Sequence, residues 1–274
     1  MSLSIVIPAC NESGWIDACL RAVLASEGVN GAQVVVVANG CTDDTAARAR
    51  AHTPAFAARG WRLEVLELPG LGKPGALDAG DAAAIHANRV YLDADVAVSP
   101  PLLAQIAGVL DRPGAVYASG KPNVTAQGWV ARAYARFWVR LPFVAQGVPG
   151  FGLFAVNAAG RARWGQFPKI ISDDTFVRLH FSPDERIGVP APYDWPMVEG
   201  FSRLVRVRRR QDQGVAELAA LHPGLIANEG KARPGKAWLL RRLLADPVAF
   251  GTYAAVTLAV RLGWAQQAGW VRGR

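Results

Sequence analysis

The chain has 274 residues, 51% hydrophobic and 19% charged, with a formal net charge of +8. That length holds one large α/β domain or two small ones, and the absence of any uncharged apolar run of 18 residues speaks against a spanning helix. Three cysteines (Cys10, Cys19, Cys41) without C-x-x-C spacing read as reduced thiols rather than a disulfide framework. The opening stretch, MSLSIVIPACNE, lacks the basic flank and cleavage site of a signal peptide, so a cytoplasmic protein is expected. The basic balance favours a polyanionic partner, whether nucleic acid, an anionic membrane face or a phosphate-bearing substrate, and composition does not choose among them.

In chain order, SIVIPA predicts a short buried strand and Trp15 to Leu24 an amphipathic helix. QVVVVANG predicts a second strand, and its unbroken apolar run implies burial on both faces. CTDDTAARARA opens a helix with Thr42 or Asp43 as N-cap. RLEVLELPG is a third strand, GALDAGDAAAIHA a third helix and RVYLDADV a fourth strand. This rhythm implies right-handed crossovers and a doubly wound, mostly parallel sheet.

Beyond Pro100 the pattern loosens. Pro101 to Leu110 reads as helix, GAVYASG as strand, Gln127 to Val144 as helical, and GVPGFGLFAVN as a glycine-rich loop feeding a strand. ISDDTFVRLHF reads as a helix start, followed by helices after Asp212, from Pro234 and from Pro247. There is no internal repeat. The expected organisation is one domain over 1–230, in two halves (1–100 and 101–230) that the family resemblance given below makes a nucleotide-binding and an acceptor half, and a helical tail over 231–274.

Ligands of doubly wound sheets lie beyond the carboxyl ends of the strands. GLGKPG (Gly70 to Gly75) fits G-x-G-x-x-G, with Asp93 at the spacing of a ribose-binding acid. An NAD(P)-dependent oxidoreductase is therefore one reading. Against it, the match follows the third strand rather than the first, Lys73 and Pro74 replace small residues, and Asp95 is left unexplained. The remaining strand ends are more coherent: Asn11 and Glu12 after the first, Asn39 and Asp43 after the second, Lys73 after the third, Asp93-Ala94-Asp95 after the fourth. Amides and acids suit a uracil ring and ribose hydroxyls, and a lysine suits phosphate. The acids at i and i+2 can share one pocket. Their mutual repulsion is relieved by a hard cation, Mn²⁺ or Mg²⁺, carried with a diphosphate.

Taken together, SIVIPACNE, VVVVANGCTDDTA, GKPGALDAG and VYLDADVAVSP resemble the family 2 glycosyltransferases with the GT-A fold. The likeness covers the first hundred residues in order. The patterns matched are a strand ending P-x-x-N-E, an acid-glycine-S/C-x-D-x-T segment, a G-x-x-x-A-x-N-x-G helix start and the D-x-D metal motif. Asn39 stands where many members carry aspartate and Asp78 where asparagine is usual; both substitutes still form hydrogen bonds.

The resemblance implies an inverting, metal-dependent transfer of a sugar from a nucleoside-diphosphate sugar, a UDP-sugar in particular, to a hydroxyl acceptor such as a lipid-linked or polysaccharide glycan. Nucleic acid is then not an expected partner. Donor contacts are implied at Pro8, Ala9, Asn11, Glu12, Asn39, Asp43, Lys73, Asp93 and Ala94, with Asp93 and Asp95 on Mn²⁺ or Mg²⁺.

In the second half, KIISDDTFVRLHF resembles the family's E-D motif, which implies Asp174 as catalytic base and Asp173 as its orienting neighbour. Ser172 or Asp173 as a mere N-cap is the alternative. The glycines of GVPGFGLFAVN resemble the segment that passes under the sugar. RLVRVRRRQDQG (Arg203 to Gly214) offers Arg209 and Arg210 to the diphosphate, or forms a solvated or lipid-facing edge. It lacks the Q-x-x-R-W form of processive synthases, so a single transfer is expected. A nucleotidyltransferase on the same fold is a further alternative, although IPACNES lacks the glycine-rich loop with Arg and Lys that such enzymes open on.

The uncharged stretch from Val248 to Val260 is too short to span a bilayer. It could pack on the domain, form a homodimer contact, or lie at the inner face of the cell membrane with RRLL and WVRGR as basic, aromatic flanks.

Overall fold

The computed structural model describes residues 2–232 and 234–264; the WVRG segment near the carboxyl end lies outside the described residues. The first half runs β1 (Leu3–Ala9), α1 (Ile16–Leu24), β2 (Ala32–Asn39), α2 (Thr45–Ala51), α3 (Thr53–Ala58), β3 (Arg62–Leu68), α4 (Gly72–Ala83) and β4 (Arg89–Leu92). The second half runs β5 (Ala97–Val98), α5 (Leu102–Leu110), β6 (Tyr117–Thr125), α6 (Trp129–Trp138), α7 (Pro142–Gln146), β7 (Leu153–Val156), α8 (Ala158–Arg161), α9 (Asp173–Leu179) and β8 (Arg186–Pro196). Three longer helices follow, α10 (Phe201–Leu221), α11 (Lys236–Ala245) and α12 (Pro247–Arg261).

All eight strands join one sheet in the order β3-β2-β1-β4-β7-β6-β8-β5. β1 pairs in parallel with β2 and with β4, and β7 enters antiparallel between β4 and β6. Alternate side chains of β1 go to opposite layers. Leu3, Ile5 and Ile7 pack with Ile16 and Leu20 of α1 and Ile106 of α5, while Val6 packs with Leu77 of α4, Tyr91 and Phe154. Covered faces explain why β2 is apolar at all positions but Gln33 and Asn39, since every residue of it is buried.

The order places a switch point between β1 and β4: β2 and β3 build to one side, everything later to the other. Crevices at such points are where doubly wound sheets bind ligands.

Four elements depart from the sequence expectation. α10 begins at Phe201, not after Asp212, so the basic run Arg203 to Arg210 is helical; nothing between Phe201 and Gln213 breaks a helix. α4 begins at Gly72, which puts Lys73 in its first turn. The expected helix over Gln127 to Val144 divides into α6 and α7 at Leu141-Pro142, because proline disfavours helix in the residue before it. β8 has no counterpart in the reading above, since Pro190, Pro192 and Pro196 argue against a strand. Its prolines 190 and 192 occupy exposed positions while Val189, Ala191 and Tyr193 are buried, so the alternation survives.

The three thiols are unbridged. Cys19 is buried, and burial pushes its thiol well above the ordinary value, which makes it inert.

Candidate active site

Lys73 is the centre of the crevice. Its Nζ lies 2.9 Å from Asp93 Oδ1 and 3.2 Å from Asp173 Oδ2, joining the end of β4 to the start of α9. Asp173 is 6% exposed, and burial raises its carboxyl above the ordinary value against the opposing pull of Lys73. Burial also works against the Lys73 ammonium, but the charges of Asp173 and Asp93 outweigh it and raise its pKa above the ordinary lysine value. Lys73 is thus a fixed cation at neutral pH. Its side chain keeps 40% of its surface, and that of Asp93 34%, so both are accessible from the crevice.

The structure separates the two acceptor-side carboxylates. Ser172 is the N-cap of α9 but makes no side-chain capping bond, and Asp173 is spent on Lys73. Asp174 is half-buried, with Oδ1 accepting from the Thr175 N–H at 2.6 Å. Its place in the first turn puts it beside the crevice without the ion pair that holds its neighbour.

The loops after β1 and β2 brace each other. Asn11 takes a left-handed backbone (φ 55), uncommon for a residue with a Cβ but tolerated by asparagine. Its Oδ1 accepts from Thr42 N at 2.7 Å and its Nδ2 donates to Thr42 Oγ1 at 3.1 Å. Glu12 N donates to Thr45 Oγ1 at 2.8 Å, and that hydroxyl donates to Asp43 Oδ1 at 2.5 Å. Partial burial pushes the Asp43 carboxyl up, yet hydrogen bonds from Thr45 and Ser13 hold it down at about 2. Pro8 and Ala9 end β1, and the Ala9 carbonyl accepts from Cys41 Sγ at 3.6 Å.

Asn39 is 5% exposed and both ends of its amide are used: Nδ2 donates to Gly72 O and Oδ1 accepts from Leu71 N, each at 2.8 Å. It therefore sets the loop that launches Lys73. That loop is the G-x-G-x-x-G match; it follows β3, the edge strand of the sheet, and delivers Lys73 back to Asp93 at the end of β4.

Of the two arginines, Arg209 donates to the carbonyls of Val260 (3.5 Å) and Trp264 (2.7 Å), away from the crevice. Arg210 precedes Gly214 by one turn of α10, and Gly214 packs on Ile171 and Ser172 beside Asp173. His180, at the carboxyl end of α9, packs on Phe176 and Trp164 rather than in the crevice.

For a divalent cation the donor set is hard oxygen, with the carboxylates of Asp93 and Asp95 on either side of Ala94 at the end of β4. This suits Mg²⁺ or Mn²⁺ and not a softer ion. Among the described residues no three ligating side chains come together; a divalent cation carried with a diphosphate needs only one or two protein carboxylates, the rest of its shell being phosphate oxygen and water.

A family model described as glycosyl transferase family 2 matches residues 4–163, which is more than half of the chain. The chain belongs to glycosyl transferase family 2. The enzyme's sheet agrees with solved structures of similar fold. A mannosyltransferase, PcManGT from Pyrobaculum calidifontis in complex with GDP-Man and Mn²⁺, shares 22% identity over 99% of this chain and 76% of its own, with TM-score 0.63. TarS 1–349 of S. aureus in complex with UDP shares 16% identity over 100% and 95%, TM-score 0.55. Glucosyl-3-phosphoglycerate synthase from Mycobacterium tuberculosis, in complex with Mn²⁺, UDP and glucosyl-3-phosphoglycerate, shares 22% over 80% and 79%, TM-score 0.53. At these identities the likeness concerns the GT-A fold.

Three positions in the glycosyltransferase make contacts that the sequence reading does not give, Asp78 entering it only as a departure from the family pattern. Thr45 joins the loops after β1 and β2, and the D-x-T spacing is its signal. Asp78 Oδ1 accepts from Phe167 N at 2.9 Å, so α4 anchors the segment leading to α9 as well as carrying Lys73. Gly214 is the third: a Cβ there would collide with Ser172 Oγ and with Ile171. Gly214→Val is expected to force α10 off the 171–173 segment, costing about 1–3 kcal/mol and lowering kcat. Thermal melts and transfer rates read both effects; a variant with wild-type values of each would show that the contact does not position Asp173.

Proposed function

We propose that this glycosyltransferase moves a sugar, with inversion, from a nucleoside-diphosphate sugar to a hydroxyl acceptor, in a reaction assisted by Mn²⁺ or Mg²⁺. The observation that carries the reading is the contact of Lys73 with both Asp93 and Asp173, which joins the D-x-D motif to the acceptor-side acids at the switch point of the sheet.

In this reading the brace of Asn11, Glu12, Asp43 and Thr45 frames the nucleoside, with Pro8, Ala9 and Ala94 as floor. Asn39 acts indirectly, by setting the loop of Lys73, and Lys73 directs its charge at the diphosphate. Asp93 and Asp95 would hold the cation, whose charge offsets that developing on the leaving diphosphate. Asp174 accepts the proton of the acceptor hydroxyl as its oxygen bonds to the anomeric carbon. The bond from that carbon to the diphosphate oxygen breaks, and its electron pair leaves with the nucleoside diphosphate. Asp173 holds Lys73 between the two halves. Arg210, one turn before Gly214 on α10, is the arginine assigned to the phosphates in this reading.

The donor nucleotide is read as UDP, because amides and acids line the nucleoside side; complexes of TarS and of the synthase contain UDP, and that of PcManGT contains GDP-Man. A glycan or lipid-linked hydroxyl is the acceptor class. The deciding measurement is a thermal-shift panel of UDP, GDP and NAD(P), each with and without Mn²⁺, followed by product analysis with the matching nucleotide sugars. Stabilisation by UDP that requires Mn²⁺ is expected. A shift with GDP alone would correct the base, and one with NAD(P) alone would overturn the reading.

A further inference from the structure

We infer that the outward faces of α11 and α12 form a docking surface for an anionic lipid bilayer, on which the protein lies without crossing it. The inner face of α12 is accounted for: Ala249 and Val256 are buried, and Tyr253 stacks on Phe137 and Tyr134 of α6 at 4.4 and 5.3 Å between ring centroids. The opposite face is apolar too. At helical spacing it presents Val248, Gly251, Ala254, Ala255, Leu258 and Leu262, all exposed and none charged.

α11 carries the same character across the Asp246-Pro247 joint. Leu240, Leu243 and Leu244 share its outward arc, and Leu244 and Leu262 keep 76% and 75% of their surface. A helix apolar on both sides has a second partner besides its own domain.

Charge decides which partner. Lys236, Arg241 and Arg261 are exposed along these faces. The one acid between residues 236 and 264, Asp246, is engaged by Arg136 at 2.8 Å and by the Ala249 N–H at 3.0 Å. A second copy of the chain would bring the same cations into opposition, whereas anionic headgroups complement them. Length excludes crossing: no helix among the described residues is long and apolar enough to span a membrane, and the 15 residues of α12 rise about 22 Å against a hydrocarbon core of about 30 Å. Trp264, 48% exposed just past α12, is the residue type that settles at headgroup level.

The surface stands independently of the reaction proposed above. Its test is sedimentation of the full chain with phosphatidylcholine vesicles, and with vesicles in which about one lipid in three is phosphatidylglycerol. Binding to the second and not the first is expected, weakened by salt. Arg241→Ala should weaken it about fivefold. The double variant Leu244→Glu, Leu258→Glu should weaken it at least about tenfold, with the melting temperature unchanged because both sites are exposed. Wild-type protein left in the supernatant with phosphatidylglycerol vesicles, or equal binding by the double variant, overturns the proposal. So does a dimer in light scattering that the double variant dissolves, which would assign the face to a second copy.

Discussion

Replacing Asp174 by asparagine is expected to slow transfer by a factor on the order of 10²–10⁴ while leaving donor binding intact. The amide keeps the size of the carboxylate, and its oxygen can still accept from the Thr175 N–H that Asp174 Oδ1 meets at 2.6 Å. What it loses is the ability to take the acceptor's proton. The companion variant Asp173→Asn should behave differently, because Asp173 is buried on Lys73. Its loss should appear in stability and donor KM at least as much as in kcat. Steady-state kinetics with thermal melts distinguish the two. Full transfer by Asp174→Asn would remove it as the base, and a collapse of kcat confined to Asp173→Asn would move that role to its neighbour.

Lys73→Met should be the most damaging change on the donor side. Three carboxylates, Asp93, Asp173 and Asp174, act on the Lys73 charge, and the variant leaves them without it. Breaking a buried pair costs about 3–5 kcal/mol; with Lys73 40% exposed, solvent screening reduces the expected figure to about 1–3 kcal/mol at neutral pH.

The pH dependence identifies the cause. Asp173 already sits above the ordinary carboxylate value through burial, and without the lysine it rises further. The folded variant then holds a proton that the unfolded chain has released. Its stability is greatest below about pH 4 and declines as pH rises through the folded pKa toward 7. The wild type should show a shallower decline, because Lys73 remains charged throughout that range and opposes the rise that burial imposes on Asp173. Lys73→Arg should restore most of the stability. Donor-induced thermal shifts should shrink in Lys73→Met in parallel with activity, and a flat stability profile between pH 4 and 7 would show that the ion pair is not what holds Asp173.

Much of the first hundred residues is legible locally. β1 to β4 are short apolar runs bounded by polar turns, and the period of each run reports its element before any long-range contact is known. The polar residues at the strand ends follow from that reading, so Asn11, Asp43, Lys73 and Asp93 were found as candidates. The second half is less legible. β8 hides behind three prolines that only its sheet neighbours make permissible, and the basic run of α10 resembles a loop until Phe201 is seen to start a helix.

What the sequence by itself determined is the alternation of strands and helices and the list of polar groups at the strand ends. Both rest on local physics: backbone sterics, side-chain period and turn chemistry act over a few residues. What only the tertiary structure decided is which of those groups meet. Residues 73, 93 and 173 converge through the crossover of α4 and the placement of α9, Asn39 turns inward to a loop 32 residues away, and Arg209 turns outward to α12. Ion pairs and hydrogen bonds act over a few ångströms in space, and no spacing along the chain encodes which distant partner fills that range.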